Sequence, residues 1–133
     1  MGTFTVYCDG GCFGNGLREF ASAYGSFIVL NEDDQTVYHE KRDYPLIYTN
    51  NEAELVAAIR ALAFMANFPN SRDYNWKLYS DSTIIVRYFT KGRSNKTGEY
   101  RALIGLSRVY LHEIDNLQIE YVPREVIVSR LGH

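Results

Sequence analysis

Cysteine is scarce: Cys8 and Cys12 are the only two in 133 residues. That excludes a disulfide-built scaffold and a four-cysteine zinc site. Both read as small packing thiols of a reducing compartment. Proline is also rare, at three, and two of these, Pro69 and Pro123, stop elements rather than fill a linker. No apolar run approaches the ~20 residues of a transmembrane helix. No signal-peptide pattern opens the chain, so a cytoplasmic location is expected. Internal repeats and low-complexity segments are missing as well. Basic excess is absent, the formal net charge being −2. The field of the whole molecule therefore does not mark a polyanion binder.

What is present is enough to build one domain over residues 1–133, with 46% hydrophobic residues and eleven tyrosines. Thr3–Cys8 alternates, with Phe4, Val6 and Cys8 on one face, and predicts a strand that ends at Asp9. Asp9-Gly10-Gly11 and Gly14-Asn15-Gly16 read as a turn-rich connection. Strands are predicted over 21–30 and 36–41, joined by a hairpin tip at Asn31–Asp34. The first long helix starts at Thr49, which with Glu52 has the spacing of a capping box. Its stripe of Leu55, Ile59, Leu62 and Ala66 runs to about Asn67. A short strand follows over 76–80. A second helix, capped by Asp81 or Ser82, carries Ile84, Ile85, Tyr88 and Phe89 and ends at Gly92. Residues 91–98 form a basic polar loop, and a third helix runs from Tyr100 to Ile114. A fifth strand spans 117–122. The ten residues from Arg124 are too few for another long helix.

The order β-β-β-α-β-α-α-β predicts an α/β layered fold with a mixed sheet. In such sheets ligands gather at the carboxyl ends of parallel strands. Asp9 ends the first strand and Asp81 follows the fourth, so parallel neighbours would deliver both to one edge. Glu54, one turn into the first helix and beside its apolar stripe, can join them. A carboxylate so placed is costly unless something positive binds it. Each acid also has a plain reading: Asp9 as a turn residue, Asp81 as an N-cap, Glu54 in a capping box from Asn51. Three acids far apart in sequence, each in such a setting, suggest one metal site. Like charges packed there repel, so Asp9→Asn is expected to stabilise the metal-free protein.

The segments Tyr7-Cys8-Asp9-Gly10-Gly11-Cys12-Phe13-Gly14-Asn15, Thr49-Asn50-Asn51-Glu52-Ala53-Glu54-Leu55 and Tyr79-Ser80-Asp81-Ser82 resemble the type 1 ribonuclease H family. Tyr121-Val122-Pro123-Arg124-Glu125 is similar to that family's last strand and following loop. The resemblance implies a ribonuclease H-like three-layer fold. Its five-stranded mixed sheet has three antiparallel strands then two parallel, flanked by helices.

It further implies an endonuclease acting on the RNA strand of an RNA–DNA hybrid, leaving 5′-phosphate and 3′-hydroxyl ends. Asp9, Glu54 and Asp81 would hold two Mg²⁺ ions, with Mn²⁺ able to substitute. Arg124 matches a mobile cationic residue that helps product leave. Asn15, Asn50 and Asn51 would meet the minor groove, where the 2′-hydroxyl distinguishes RNA. Thr49 would bind a phosphate of the DNA strand. A monomer is expected, with nucleic acid as partner and no membrane. The family's long basic handle is absent, leaving Lys91, Arg93, Lys96 and Arg101. Its fourth acid, about seven residues beyond Arg124, is replaced by Leu131. Glu125, Ser129 and His133 are the tail's remaining candidate ligands. That loss keeps a second reading open, a weakly active or non-catalytic hybrid-binding module.

Overall fold

The computed structural model describes residues 2–17, 19, 21–90 and 100–132. The 91–98 loop, the helix end at Gly92 and His133 lie outside them. Five strands form one sheet: β1 Thr3–Phe13, β2 Ser22–Leu30, β3 Thr36–Tyr44, β4 Asn75–Ser80 and β5 Leu117–Tyr121. The helices are α1 Asn50–Asn67, α2 Thr83–Thr90, α3 Arg101–Glu113 and α4 Arg124–Leu131. Strand order is β3-β2-β1-β4-β5. The β1–β2 and β2–β3 pairs are antiparallel, and β1–β4 and β4–β5 are parallel. The expected mixed sheet is therefore present.

One face of the sheet buries Val6, Cys8, Phe27, Val29, Trp76 and Leu78 against Leu55, Ile59, Leu62 and Met65 of α1. Ile85 and Phe89 of α2 and Ile104 of α3 complete this core. Its lower end is sealed by rings. Phe4 stacks on Trp76 at 4.8 Å, and Phe68 meets both, while the indole N–H donates to the Ser71 carbonyl at 2.9 Å. The opposite face carries α4, whose Ile127 and Leu131 pack on Tyr7 and Leu30. The layers are thus three helices, the sheet and one short helix.

One local expectation is corrected. β1 does not turn at Asp9-Gly10-Gly11 but runs on to Phe13, because β2 continues its ladder with Gly10 opposite Gly25 and Gly11 opposite Tyr24. Propensity favoured a turn there, and long-range pairing overrode it. The tail, too short for a long helix as expected, adds to the expected element order a short one of eight residues, closed by Gly132 in the left-handed region (φ 81°). Its stability comes from packing Ile127 and Leu131 rather than from length.

Gly10 sets the distance between β1 and α1. A Cβ added there would lie 2.4 Å from the Ala53 carbonyl oxygen and 2.7 Å from the Glu54 nitrogen, both backbone atoms. No side chain can relax to make room. Gly10→Ala is therefore expected to force α1 off β1 and cost about 2–3 kcal/mol, the scale of overpacking in a close-packed interior. Urea unfolding measures it, and an unchanged midpoint would show the contact to be soft.

Candidate active site

Asp9, Asp81 and Glu54 meet over the central strands β1 and β4, where β4 ends and β1 runs on. The parallel register of β1 with β4 aligns Tyr7 with Tyr79. Two residues further along each chain lie Asp9, still within β1, and Asp81, just past β4. Gly10 then brings the backbone of Glu54 against β1. Asp9 is 3% exposed, a carboxylate taken almost wholly out of water. Arg124, at the start of α4, answers it: one guanidinium nitrogen donates to Asp9 Oδ2 at 2.8 Å and to Asp81 Oδ2 at 3.1 Å. Both acids hold the guanidinium firmly charged, the Asp9 hydrogen bond most of all.

Glu54 shows the cost of this crowding. Burial, with Asp81 and Asp9 adding repulsion, pushes its pKa up from 4.5 to about 7, although a hydrogen bond from Ser82 favours the charged form. Ser82 serves α2 as well, its hydroxyl accepting the Ile85 N–H at 3.3 Å. Ser82, not Asp81, is thus the cap, and Asp81 keeps its carboxylate for the cluster. Thr49 caps α1 by accepting from the Glu52 nitrogen at 3.3 Å, which leaves Glu54 outside any box. Beneath the acids, burial and the charges of Asp9, Asp81 and Glu54 push the Cys8 thiol far above its usual range. It is inert packing with its Sγ toward the Tyr79 carbonyl.

The asparagines divide. Asn15 Oδ1 accepts from the Asn50 nitrogen at 2.7 Å, and Asn50 Oδ1 accepts from the Cys12 nitrogen at 2.6 Å. Together they tie the end of β1 to the start of α1, with the Gly16 N–H donating to the Tyr48 carbonyl at 2.6 Å beside them. Both spend their amide oxygens internally, leaving their NH₂ groups as what they can offer a ligand. Asn51 is exposed. The Thr49 hydroxyl lies 3.4 Å from the Tyr100 hydroxyl as well as capping, so two elements share it.

The tail offers little. Leu131, at the position of the expected fourth acid, is buried against Tyr7, Leu30 and Ile127. Ser129 bonds back to the Val126 carbonyl at 2.7 Å. Glu125 is exposed in the first turn of α4. Among the described residues, no three histidine, cysteine or acidic side chains enclose an ion position as they stand. The cation between Asp9 and Asp81 is Arg124. Two contributors escaped sequence reading. Ser82 was legible only as a cap, and the contact of Gly10 with α1 has no sequence signature.

With this geometry in view, the relatives are informative. The RNase H family model matches residues 1–120. A ribonuclease H of Clostridium botulinum is 32% identical over 81 residues, covering 61% of this chain and 48% of that protein. The chain spans about half the length of the curated relatives it matches. The RNase H1 of Halobacterium salinarum superposes with a TM-score of 0.80 at 26% identity, over 98% of this chain and 94% of that one. LC11-RNase H1, isolated from compost, does so at 0.82 and 26%, over 99% and 91%. The latter protein has also been crystallised with an RNA/DNA hybrid, in a structure that matches at 0.80 and 24% over 96% and 92%.

The raised Glu54 pKa gives a pH signature. Folded Glu54 holds its proton up to about 7, whereas an ordinary glutamate carboxyl releases it near 4.5. The folded state thus binds more protons between these values, and stability falls as pH rises through that window. In chelated, metal-free buffer, Glu54→Gln should melt progressively higher than the parent from pH 5 to pH 8, starting from a small difference. A difference flat across pH would remove the crowding argument. The tail yields another expectation. Leu131→Asp should not complete an acidic site but should destabilise by about 3 kcal/mol or more, since it puts a charge into the Tyr7–Leu30–Ile127 cluster. A stable Leu131→Asp protein whose melting point rises with added Mg²⁺ would refute that placement.

Proposed function

The chain belongs to the ribonuclease H family, and from that premise we propose that it hydrolyses the RNA strand of RNA–DNA hybrids, leaving 5′-phosphate and 3′-hydroxyl ends. The observation that carries this reading is the convergence of Asp9, inside β1, with Asp81, just past the carboxyl end of β4, and Glu54 of α1, with a cation already spanning two of them. The crystal form of LC11-RNase H1 with an RNA/DNA hybrid supports the substrate class.

The donor set fits a hard divalent cation such as Mg²⁺ or Mn²⁺: carboxylate oxygens only, with Arg124 holding one positive charge where Asp9 and Asp81 meet. Asp9, Glu54 and Asp81 would hold the ions. When bound, such ions activate water and stabilise a leaving oxygen in phosphoryl transfer. The chain's own residues do the rest. Ser82 orients the Glu54 carboxylate. Arg124, whose side chain is half exposed, can turn from the acids to a substrate or product phosphate. Asn51 offers a donor and an acceptor to a 2′-hydroxyl, and the Asn15 and Asn50 amides add donors at the rim. Thr49, at the positive end of α1, suits a backbone phosphate. No described helix is long and apolar enough to cross a membrane.

A second reading, a weakly active hybrid-binding module, is favoured by Leu131 being core and by Arg124 filling the acidic cleft. One assay separates them. Labelled RNA–DNA hybrid should be cut with Mg²⁺ or Mn²⁺ and spared in chelator, with double-stranded RNA and DNA untouched. Asp9→Asn should lower the rate by more than about a hundredfold. It should not raise metal-free stability as charge repulsion alone suggests, because Asp9 is the buried partner of Arg124. Binding of hybrid without cutting would establish the second reading, and equal cutting by Asp9→Asn would remove the first.

A further inference from the structure

Beyond the acids, the sheet face that carries Asp9 continues upward as an aromatic surface. Alternation along β1 puts Asp9, Gly11 and Phe13 on that face. Gly11 has no side chain, and the Tyr24 ring fills the space. A Cβ there would stand 2.8 Å from the Tyr24 hydroxyl and 3.0 Å from two ring carbons. Phe13 follows, its ring 6.2 Å from that of Tyr24 and 72% exposed. Lys41 on β3 stands level with Asp9, through Ser26 between them. Its ammonium lies 5.8 Å from the centre of the Tyr24 ring. One row thus runs from acid to ring to exposed ring, with a lysine beside it. Singly exposed apolar side chains are ordinary. Phe13 is distinguished by sharing a face and a continuous surface with the acidic cluster.

We propose that Phe13, Tyr24 and Lys41 form a strip that holds the nucleic-acid strand flanking the scissile phosphate. The inference rests on the hybrid-cutting reading and extends it. Ring faces receive bases or sugars regardless of sequence, and a lysine neutralises a phosphate. Four residues of strand separate Phe13 from Asp9, ~13 Å at ~3.3 Å each. At ~3.4 Å of rise per nucleotide, that reaches about four nucleotides to one side of the cut. With a net charge of −2 no general basic field holds the substrate, which leaves more of its binding to local contacts such as these.

The test uses the full chain carrying Asp9→Asn, with Mg²⁺ and a fluorescent RNA–DNA hybrid read by anisotropy. Adding Phe13→Ala should weaken binding about tenfold, and Phe13→Trp should restore it. Lys41→Ala should reduce the slope of log affinity against log salt by about one. Trimming the hybrid on one side of the cut, and not the other, should abolish the Phe13 effect. With Asp9 intact, Phe13→Ala should raise KM and leave kcat alone. If the parent binds hybrid while Phe13→Ala and Lys41→Ala match it in affinity and salt slope, the strip is overturned and the hybrid reading stands. A Phe13-dependent dimer in sedimentation, with hybrid affinity unchanged, would overturn it in favour of self-association. A parent that neither binds nor cuts hybrid removes both.

Discussion

A buried carboxylate needs a positive partner, and Asp9 is buried beside two more acids. This electrostatic constraint organises the molecule. Desolvating one carboxylate is expensive, and placing Asp81 and Glu54 near it makes the free anions mutually repulsive. The chain relieves this in two ways. Arg124 donates to Asp9 and Asp81 together, and Glu54 shifts its ionisation upward. Both responses offset the crowded negative charge, each doing locally what a bound cation would do. The arginine reaches the site only because Pro123 ends β5 and α4 begins immediately after it.

Assembly of the acids is a matter of backbone geometry. The parallel register of β1 with β4 carries Asp9 and Asp81 to the same place, where Arg124 reaches both, and Gly10 lets α1 approach until Glu54 joins them. The Asn15–Asn50–Cys12 bonds then lock the end of β1 to the start of α1. In this light the asparagines are first a brace for the site and only then candidates to touch a ligand. Leu131 packs into the core where the family resemblance implied an acid. The short α4 would otherwise have only Ile127 as a fully buried anchor on the sheet, so the leucine stabilises the helix that delivers Arg124.

Much of this was legible in the chain. Alternation in Thr3–Cys8, the apolar stripe of α1 and the stop at Pro69 each follow from local periodicity, and the structure keeps them. Thr49 was readable as a cap because capping depends on a few consecutive residues. The extension of β1 through Gly10 and Gly11 was not, because it depends on a partner strand a dozen or more residues away. The eight-residue α4 was hidden for a similar reason: so short a helix persists through tertiary packing rather than propensity.

By itself, then, the sequence determined the element order as far as β5, the family likeness and three acids as candidates for one site, since these rest on residue type and spacing along one dimension. Only the tertiary structure decided that Arg124 spans Asp9 and Asp81, that Ser82 serves Glu54, that Leu131 is core, and that Phe13 and Tyr24 extend the face of the acids. Each of these depends on distances between residues remote in the chain. Such distances are set by strand register and by close packing, which local patterns do not encode.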